Sequence, residues 1–176
     1  LPPIGAGFIL RDMLISSMVP YQGLTQIYRQ QEGNRIIDNA YAINHGKMPN
    51  VSNCDEFQFD SVHDVEELLS GITKHYLEEL QHVESVLDIQ IVCPMRKGSA
   101  GSAAISKYLQ EELNPKRRGE AELKVDGTIF RVGDKVIQME NNYDQDVYNG
   151  EIGVITDIVG KQARVQFPDK SLTLDE

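Results

Sequence analysis

The sequence has no tryptophan and only two cysteines in 176 residues. Cys54 and Cys93 stand far apart and form neither a CxxC pair nor a metal-ligand spacing. That speaks against a disulfide scaffold and suits two ordinary thiols in a reducing cytoplasm. No run of 18 or more apolar residues occurs, which argues against a membrane-spanning helix. The chain opens on Leu1-Pro2-Pro3 without an initiator Met or a basic leader, and reads as an internal excision from a longer chain. The commonest catalytic motifs are missing as well. The phosphate-cradling P-loop, GxxxxGK[ST], is absent. Gly46-Lys47-Met48 and Gly160-Lys161-Gln162 both lack the hydroxyl that would hold Mg2+. HExxH, GxSxG and GxGxxG do not occur, and His45, His63, His75 and His82 show no ligand spacing, so they read as surface residues. No complete active site of a known class is written in the chain.

What is present suits a globular protein. Hydrophobic residues make up 40% and charged residues 25%, enough apolar surface for one medium domain and a small one. The net charge of -10 is a poor sign for a nucleic-acid binder, but it is unevenly spread. Residues 55–88 hold ten acids against Lys74 alone, and residues 96–118 hold six bases against Glu111 and Glu112. The second block fits either a phosphate-tracking surface or plain solvated surface, and charge alone does not choose.

Helical and strand patterns alternate over the first two-thirds. Gly5 to Leu14 reads as a short helix, and Tyr21 to Leu24 as a strand. Asn34 to His45 has Ile36, Ala40 and Ile43 on one face and stops at Gly46. Glu56 to Phe59 alternates like a strand; Ser61, with Asp64 three residues on, offers a capping box to the next helix. Asp88 to Cys93 is a short apolar run that reads as a buried parallel strand. Ser102 caps a third helix that Asn114-Pro115 ends. This pattern predicts an α/β fold, a parallel sheet with flanking helices, over residues 1–120. Past the polar stretch 114–119 only short strands and turns remain, with Asn149-Gly150 as the plainest turn signal. Residues 121–176 are therefore expected to form a small β-barrel, SH3-like or OB-like.

Leu1 to Gly7, Leu24 to Gln30, Pro94 to Gly98 and Arg131 to Gly153, taken in that order, resemble segments of RecD/TraA-type superfamily 1 DNA helicases. Leu1-Pro2-Pro3-Ile4-Gly5-Ala6-Gly7 with Leu10-Arg11-Asp12 resembles the tail of helicase motif III. Leu24-Thr25-Gln26-Ile27-Tyr28-Arg29-Gln30 resembles motif IV, with its aromatic-Arg-Gln core. Asn39-Ala40, Ile43 to Pro49 and Pro94-Met95-Arg96-Lys97-Gly98 continue the series. Arg131 to Gln138, Asn141-Asn142-Tyr143 and Val147 to Gly153 resemble the SH3-like module inserted in the second motor domain. The resemblance implies a partial RecA-like second motor domain (1–120) with a barrel insert (121–176). It implies a fragment, inactive alone, of an ATP-dependent 5′ to 3′ helicase of DNA recombination and repair, like the exodeoxyribonuclease V alpha chain. ATP and Mg2+ would be held mainly by the preceding motor domain of the same chain.

The same resemblance gives Arg29 to the γ-phosphate of ATP, with Gln30 orienting that loop. A guanidinium suits the task because it stays charged and offers a planar fork of donors. The plainer alternative for Arg29 is a surface ion pair near a helix start. Arg96 and Lys97 follow an expected strand end, where ligands of open α/β sheets collect, and either touch DNA phosphate or sit in a solvated loop. Asn141, Asn142 and Tyr143 offer a polar and aromatic platform on which a single strand can stack, or else a structural turn. Residues 121–176 hold six bases and eleven acids, so any DNA contact there is local, with Arg131, Lys135 and Tyr148 as contributors. Single-stranded DNA, recombination or repair subunits, no membrane and a cytoplasmic setting complete the expectation. A relaxase-helicase motor piece, or a non-enzymatic nucleic-acid or protein-binding barrel module, remain as alternatives.

Overall fold

The computed structural model describes residues 7–23 and 33–175. The chain divides into two compact units, 1–60 and 61–176. Among the described residues no helix is long and apolar enough to cross a membrane.

The first unit contains helices α1 (Ile9–Ser16) and α2 (Arg35–Asn44). Helix α1 begins at Ile9, the expected start at Gly5 lying outside the described residues, and ends where Ser17 turns left-handed, φ 55°. Helix α2 forms nearly where its apolar spacing predicts. The Asn34 side chain accepts the Ile36 N–H at 2.8 Å and caps it. Asn39, buried on this helix, pairs both ways with the Asn50 backbone at 2.9 and 2.7 Å. That amide pins residue 50 to the helix as a ladder rung would. Neither expected strand forms here: Tyr21–Gly23 are irregular, Leu24 lies outside the described residues, and residues 56–59 contribute only a lone bridge, Cys54 with Phe57.

Among the described residues the second unit carries helices α3 (Val65–Glu79) and α4 (Ser102–Leu113), a 3-10 turn (Val86–Asp88) and six strands. Helix α3 has its N-cap three residues past the expected Ser61, at Asp64. Asp64 accepts the Glu67 N–H, and Glu67 accepts the His63 N–H, both at 2.8 Å. Strands β1 (Glu122–Val125) and β2 (Thr128–Arg131) form a hairpin across Asp126-Gly127. Both turn residues have positive φ, 47° and 81°, which Asp and Gly tolerate best. Strands β3 (Lys135–Ile137), β4 (Ile152–Val159), β5 (Gln162–Gln166) and β6 (Ser171–Asp175) form a second sheet in that order.

Two corrections to the expected fold follow. Every ladder among the described residues is antiparallel, so the parallel, RecA-like sheet is not formed. Ile89 is extended, and residues 89–93 alternate between half-buried and exposed, but they belong to no ladder. A buried parallel strand needs a neighbouring backbone on each side, and the apolar run carries no information about whether one is there. The β-sheet is also not a closed barrel. Strand β6 pairs with β5 alone, β3 with β4 alone, and the β1–β2 hairpin stands as its own sheet. Closure requires the last strand to bond the first. The three-residue β3 ends the second sheet at one edge, and the Arg131–Asp134 turn separates it from β2.

The core lies between these two sheets. Leu123, Val147, Ile155, Ile158, Ala163, Val165 and Phe167 form it, and Val125, Phe130, Val136, Leu172 and Leu174 pack around them. Alternation along β4 and β5 turns every second residue inward, and a bulge between Ile155 and Asp157 resets that phase. At Gly153 a Cβ would meet Val165 Cγ1 at 2.6 Å and the Gln166 carbonyl at 2.8 Å. Only glycine lets Phe167, 1% exposed, lie this close to β4.

Candidate nucleic-acid interface

Arg29 and Gln30 lie outside the described residues. Arg96 and Lys97 sit in the exposed loop that feeds α4, and neither has an ion-pair partner among the described residues. The loop is built tightly. The Ser102 N–H donates to the Met95 carbonyl at 3.0 Å, the Ala103 N–H to that of Arg96 at 3.3 Å, and the Gly101 N–H to that of Gly98 at 3.1 Å. The first turn of α4 is thus capped by carbonyls of the loop. Gly101 is the N-cap, where a serine side chain was expected, and Ser102 already belongs to the helix. Those first amides are therefore engaged and not free for an anion. A Cβ on Gly101 would lie 2.5 Å from the Lys97 carbonyl oxygen and 2.6 Å from that of Arg96, so the loop closes onto the helix start only because this residue is glycine. The two cations are held on a compact support with their charges outward. Lys107 on α4 and Arg118 beyond it also lack acidic partners among the described residues, whereas Lys116 and Arg117 pair with Glu122 and Glu120.

Arg131 and Lys135, expected as nucleic-acid contacts, are used internally. Arg131 is buried, 6% exposed. Its guanidinium donates to Glu111 at 2.7 Å, to Glu122 at 2.8 Å and to the Asn114 carbonyl at 3.0 Å. These carboxylates hold the arginine even more firmly charged, Glu111 most. Lys116, then Arg131, keep Glu122 below the usual carboxylate range. Asp134 completes the joint. It accepts from the Arg131 N–H at 2.7 Å, from Asn114 Nδ2 at 2.8 Å and from Gln110 Nε2. Helix α4 is thereby bonded along its last turn to the β1–β2 hairpin and to the start of β3. The Lys135 ammonium donates to the carbonyls of Val86, at 3.0 Å, and Ile89. Burial lowers its pKa, with the Asp88 carboxylate opposing. Sequence reasoning missed this joint because its acceptors are up to 49 residues away from their donors. The one local signal is the Asp134 carboxylate three residues after Arg131.

Asn141, Asn142 and Tyr143 come together in the connection between β3 and β4, apart in sequence from the basic loop. Asn141 Nδ2 donates to the Tyr143 hydroxyl at 3.1 Å, and Asn141 Oδ1 accepts the Asn149 N–H at 2.8 Å. Asn142 Oδ1 accepts the Gln145 N–H, and Asn142 bridges Val147. Tyr143, 75% exposed, meets Tyr148 edge to face with centroids 6.2 Å apart. The Tyr148 hydroxyl donates to Asp146 at 2.6 Å, which raises its pKa. Lys170 lies 6.0 Å from the Tyr148 ring centroid and also bonds the Asp146 carbonyl. Between residues 139 and 151 the loop has four acids and no lysine or arginine. It offers an exposed ring and amide groups to a base, and no cation of its own to a phosphate. Among the described residues no cluster of His, Cys, Asp or Glu converges to hold a metal.

Comparison with known proteins adds two findings. Residues 105–167 match the family described as "ATP-dependent RecD-like DNA helicase SH3 domain". That stretch begins inside α4, so it includes the Arg131–Asp134 joint as well as strands β1 to β5. The chain is also 29% identical over 171 residues to the ATP-dependent RecD2 DNA helicase of Deinococcus radiodurans. The alignment covers 95% of this chain and 22% of that relative, so the chain spans about a fifth of the relative's length. The similarity is thus to RecD-like superfamily 1 helicases along nearly the whole chain, and to their SH3-like domain in its second half.

Proposed function

We propose that this chain is a section of an ATP-driven DNA helicase of recombination or repair, drawn from its second motor domain, with residues 121–176 as an inserted module. The single observation behind this reading is the continuous likeness to a DNA helicase over 95% of the chain. In this reading the preceding motor domain holds ATP and Mg2+, and Arg29 reaches across to the γ-phosphate with Gln30 beside it. A guanidinium there stabilises charge on the transferring phosphoryl group. The enzyme moves 5′ to 3′ along single-stranded DNA in the cytoplasm. Arg96 and Lys97 take the sugar-phosphate backbone. Their exposure, their lack of acidic partners among the described residues and their rigid loop support that role, and such contacts do not read base sequence. Asn141, Asn142 and Tyr143 take bases by stacking and hydrogen bonding, because residues 139–151 around them include four acids and no lysine or arginine with which to track phosphates.

The test is Arg29→Ala in the full-length protein. Unwinding is expected to be abolished while single-strand affinity is largely kept, and DNA-stimulated ATP hydrolysis should fall by on the order of 10³-fold or more. Normal ATP hydrolysis in that variant would overturn the role given to Arg29.

A further inference from the structure

The loop bearing Arg96 and Lys97 is anchored on both sides by one stretch of five consecutive residues, Arg131-Val132-Gly133-Asp134-Lys135. On its C-terminal side, Arg131 and Asp134 bind Gln110, Glu111 and Asn114 of α4 and its cap. On its N-terminal side, Lys135 binds the carbonyls of Val86 and Ile89. The segment from Ile89 to Cys93 leads directly into the loop and has no strand ladder to hold it. Lys135 therefore supplies, from its side chain, fixation that a ladder would otherwise provide through the backbone. Its long stem carries the charge from the sheet edge to two carbonyls of the 3-10 turn, which need donors wherever they are screened from water.

We propose that Lys135 is a positioning residue for DNA binding: from strand β3 it holds the 86–93 segment in place and so presents Arg96 and Lys97 to the phosphate backbone without touching DNA itself. This rests on the reading of Arg96 and Lys97 as phosphate contacts. The physical gain is preorganisation. Two long cationic side chains on a loose loop lose more freedom on binding than the same two on a fixed support, and affinity drops by that difference. The lowered pKa of Lys135 agrees with an ammonium withdrawn from solvent and already engaged.

A double-mutant cycle in the full-length protein tests the inference, with binding to a homopolymeric single strand measured across a salt series. Arg96→Ala with Lys97→Ala should flatten the salt slope by about 1.4, roughly 0.7 for each charge removed. Lys135→Met, which keeps most of the stem and removes the ammonium, should weaken binding several-fold in the otherwise unchanged protein. In the Arg96→Ala, Lys97→Ala background it should weaken binding no further. Lys135→Arg, which keeps the charge and the donors, should recover most of the loss. Equal losses in both backgrounds would overturn the inference, because Lys135 would then contact DNA itself or act through general stability. No loss in the unchanged protein would overturn it too. If the Arg96, Lys97 pair leaves affinity and slope unchanged, the phosphate-contact reading fails first and the inference falls with it. A thermal melt of each variant separates misfolding from a local effect.

Discussion

Arg131 is a charge that could not be assigned from its neighbours in sequence. A strand arginine next to a glycine turn, in a chain with the likeness described above, suggests a phosphate contact. The structure instead buries it among Glu111, Glu122 and the Asn114 carbonyl. A buried guanidinium persists only when its donors are met, and meeting them takes residues from a helix end and another strand. The pairing has a pH signature. Glu122 titrates below its unfolded range because Lys116 and Arg131 hold its charge. A depressed carboxylate contributes stability above its unfolded pKa, about 4.3, and loses it as pH falls through the lower folded value. Thermal melts between pH 3 and 7 should show the protein losing stability as acid is added below about pH 4.3, and Glu122→Gln should be less stable near neutrality yet lose less on acidification. Parallel curves for the two proteins would show that the ion pair does not contribute. Arg29 and Gln30, legible only through resemblance, lie outside the described residues.

Helices were the most legible elements, and their starts the least. Apolar spacing located α2, α3 and α4, because a buried stripe recurs every three to four residues whatever surrounds it. The caps were displaced where two candidates competed. Ser61 and Asp64 both suit the position, and Asp64 takes it because Glu67 returns the bond through the His63 N–H. Asp64→Ala should cost about 1 kcal/mol, read as a lower denaturation midpoint, while Ser61→Ala should cost close to nothing. Strands β3 to β6 were legible from their turns: Gly160 has φ 62° at the tight bend between β4 and β5. The β1–β2 hairpin went unread although Asp126-Gly127 marks it: Glu122 to Val125 alternates but is only four residues long, and Thr128 to Arg131 sets Ile129 and Phe130 side by side and breaks the alternation. Strand direction was not legible at all. The apolar run 88–93 has the composition of a parallel strand, but pairing is a property of two segments, and no partner is paired with it here.

At the scale of the whole molecule, the charge pattern carried more meaning than the total. The acids outnumber the bases by ten, yet the 96–118 block holds four bases without acidic partners among the described residues, Arg96, Lys97, Lys107 and Arg118. The division of labour between the two halves of the second unit was out of reach of local pattern, because bonds spanning 17 to 49 residues create it. Strand order has a kinetic consequence. In the second sheet every strand pairs with its neighbour along the chain, and the β4–β5 and β5–β6 closures join short connections that cost little entropy, whereas β3 reaches β4 across the longer stretch 138–151. Such a meander zips from its tight bend outward and collapses early, before the distant 86–93 segment can dock. Chevron measurements should therefore separate the two regions. Trimming Ile158 to Val should mainly slow refolding, whereas losing the Lys135 ammonium should mainly hasten unfolding and leave the refolding limb almost untouched. The reverse pattern would mean that the long-range latch closes first and the meander condenses around it.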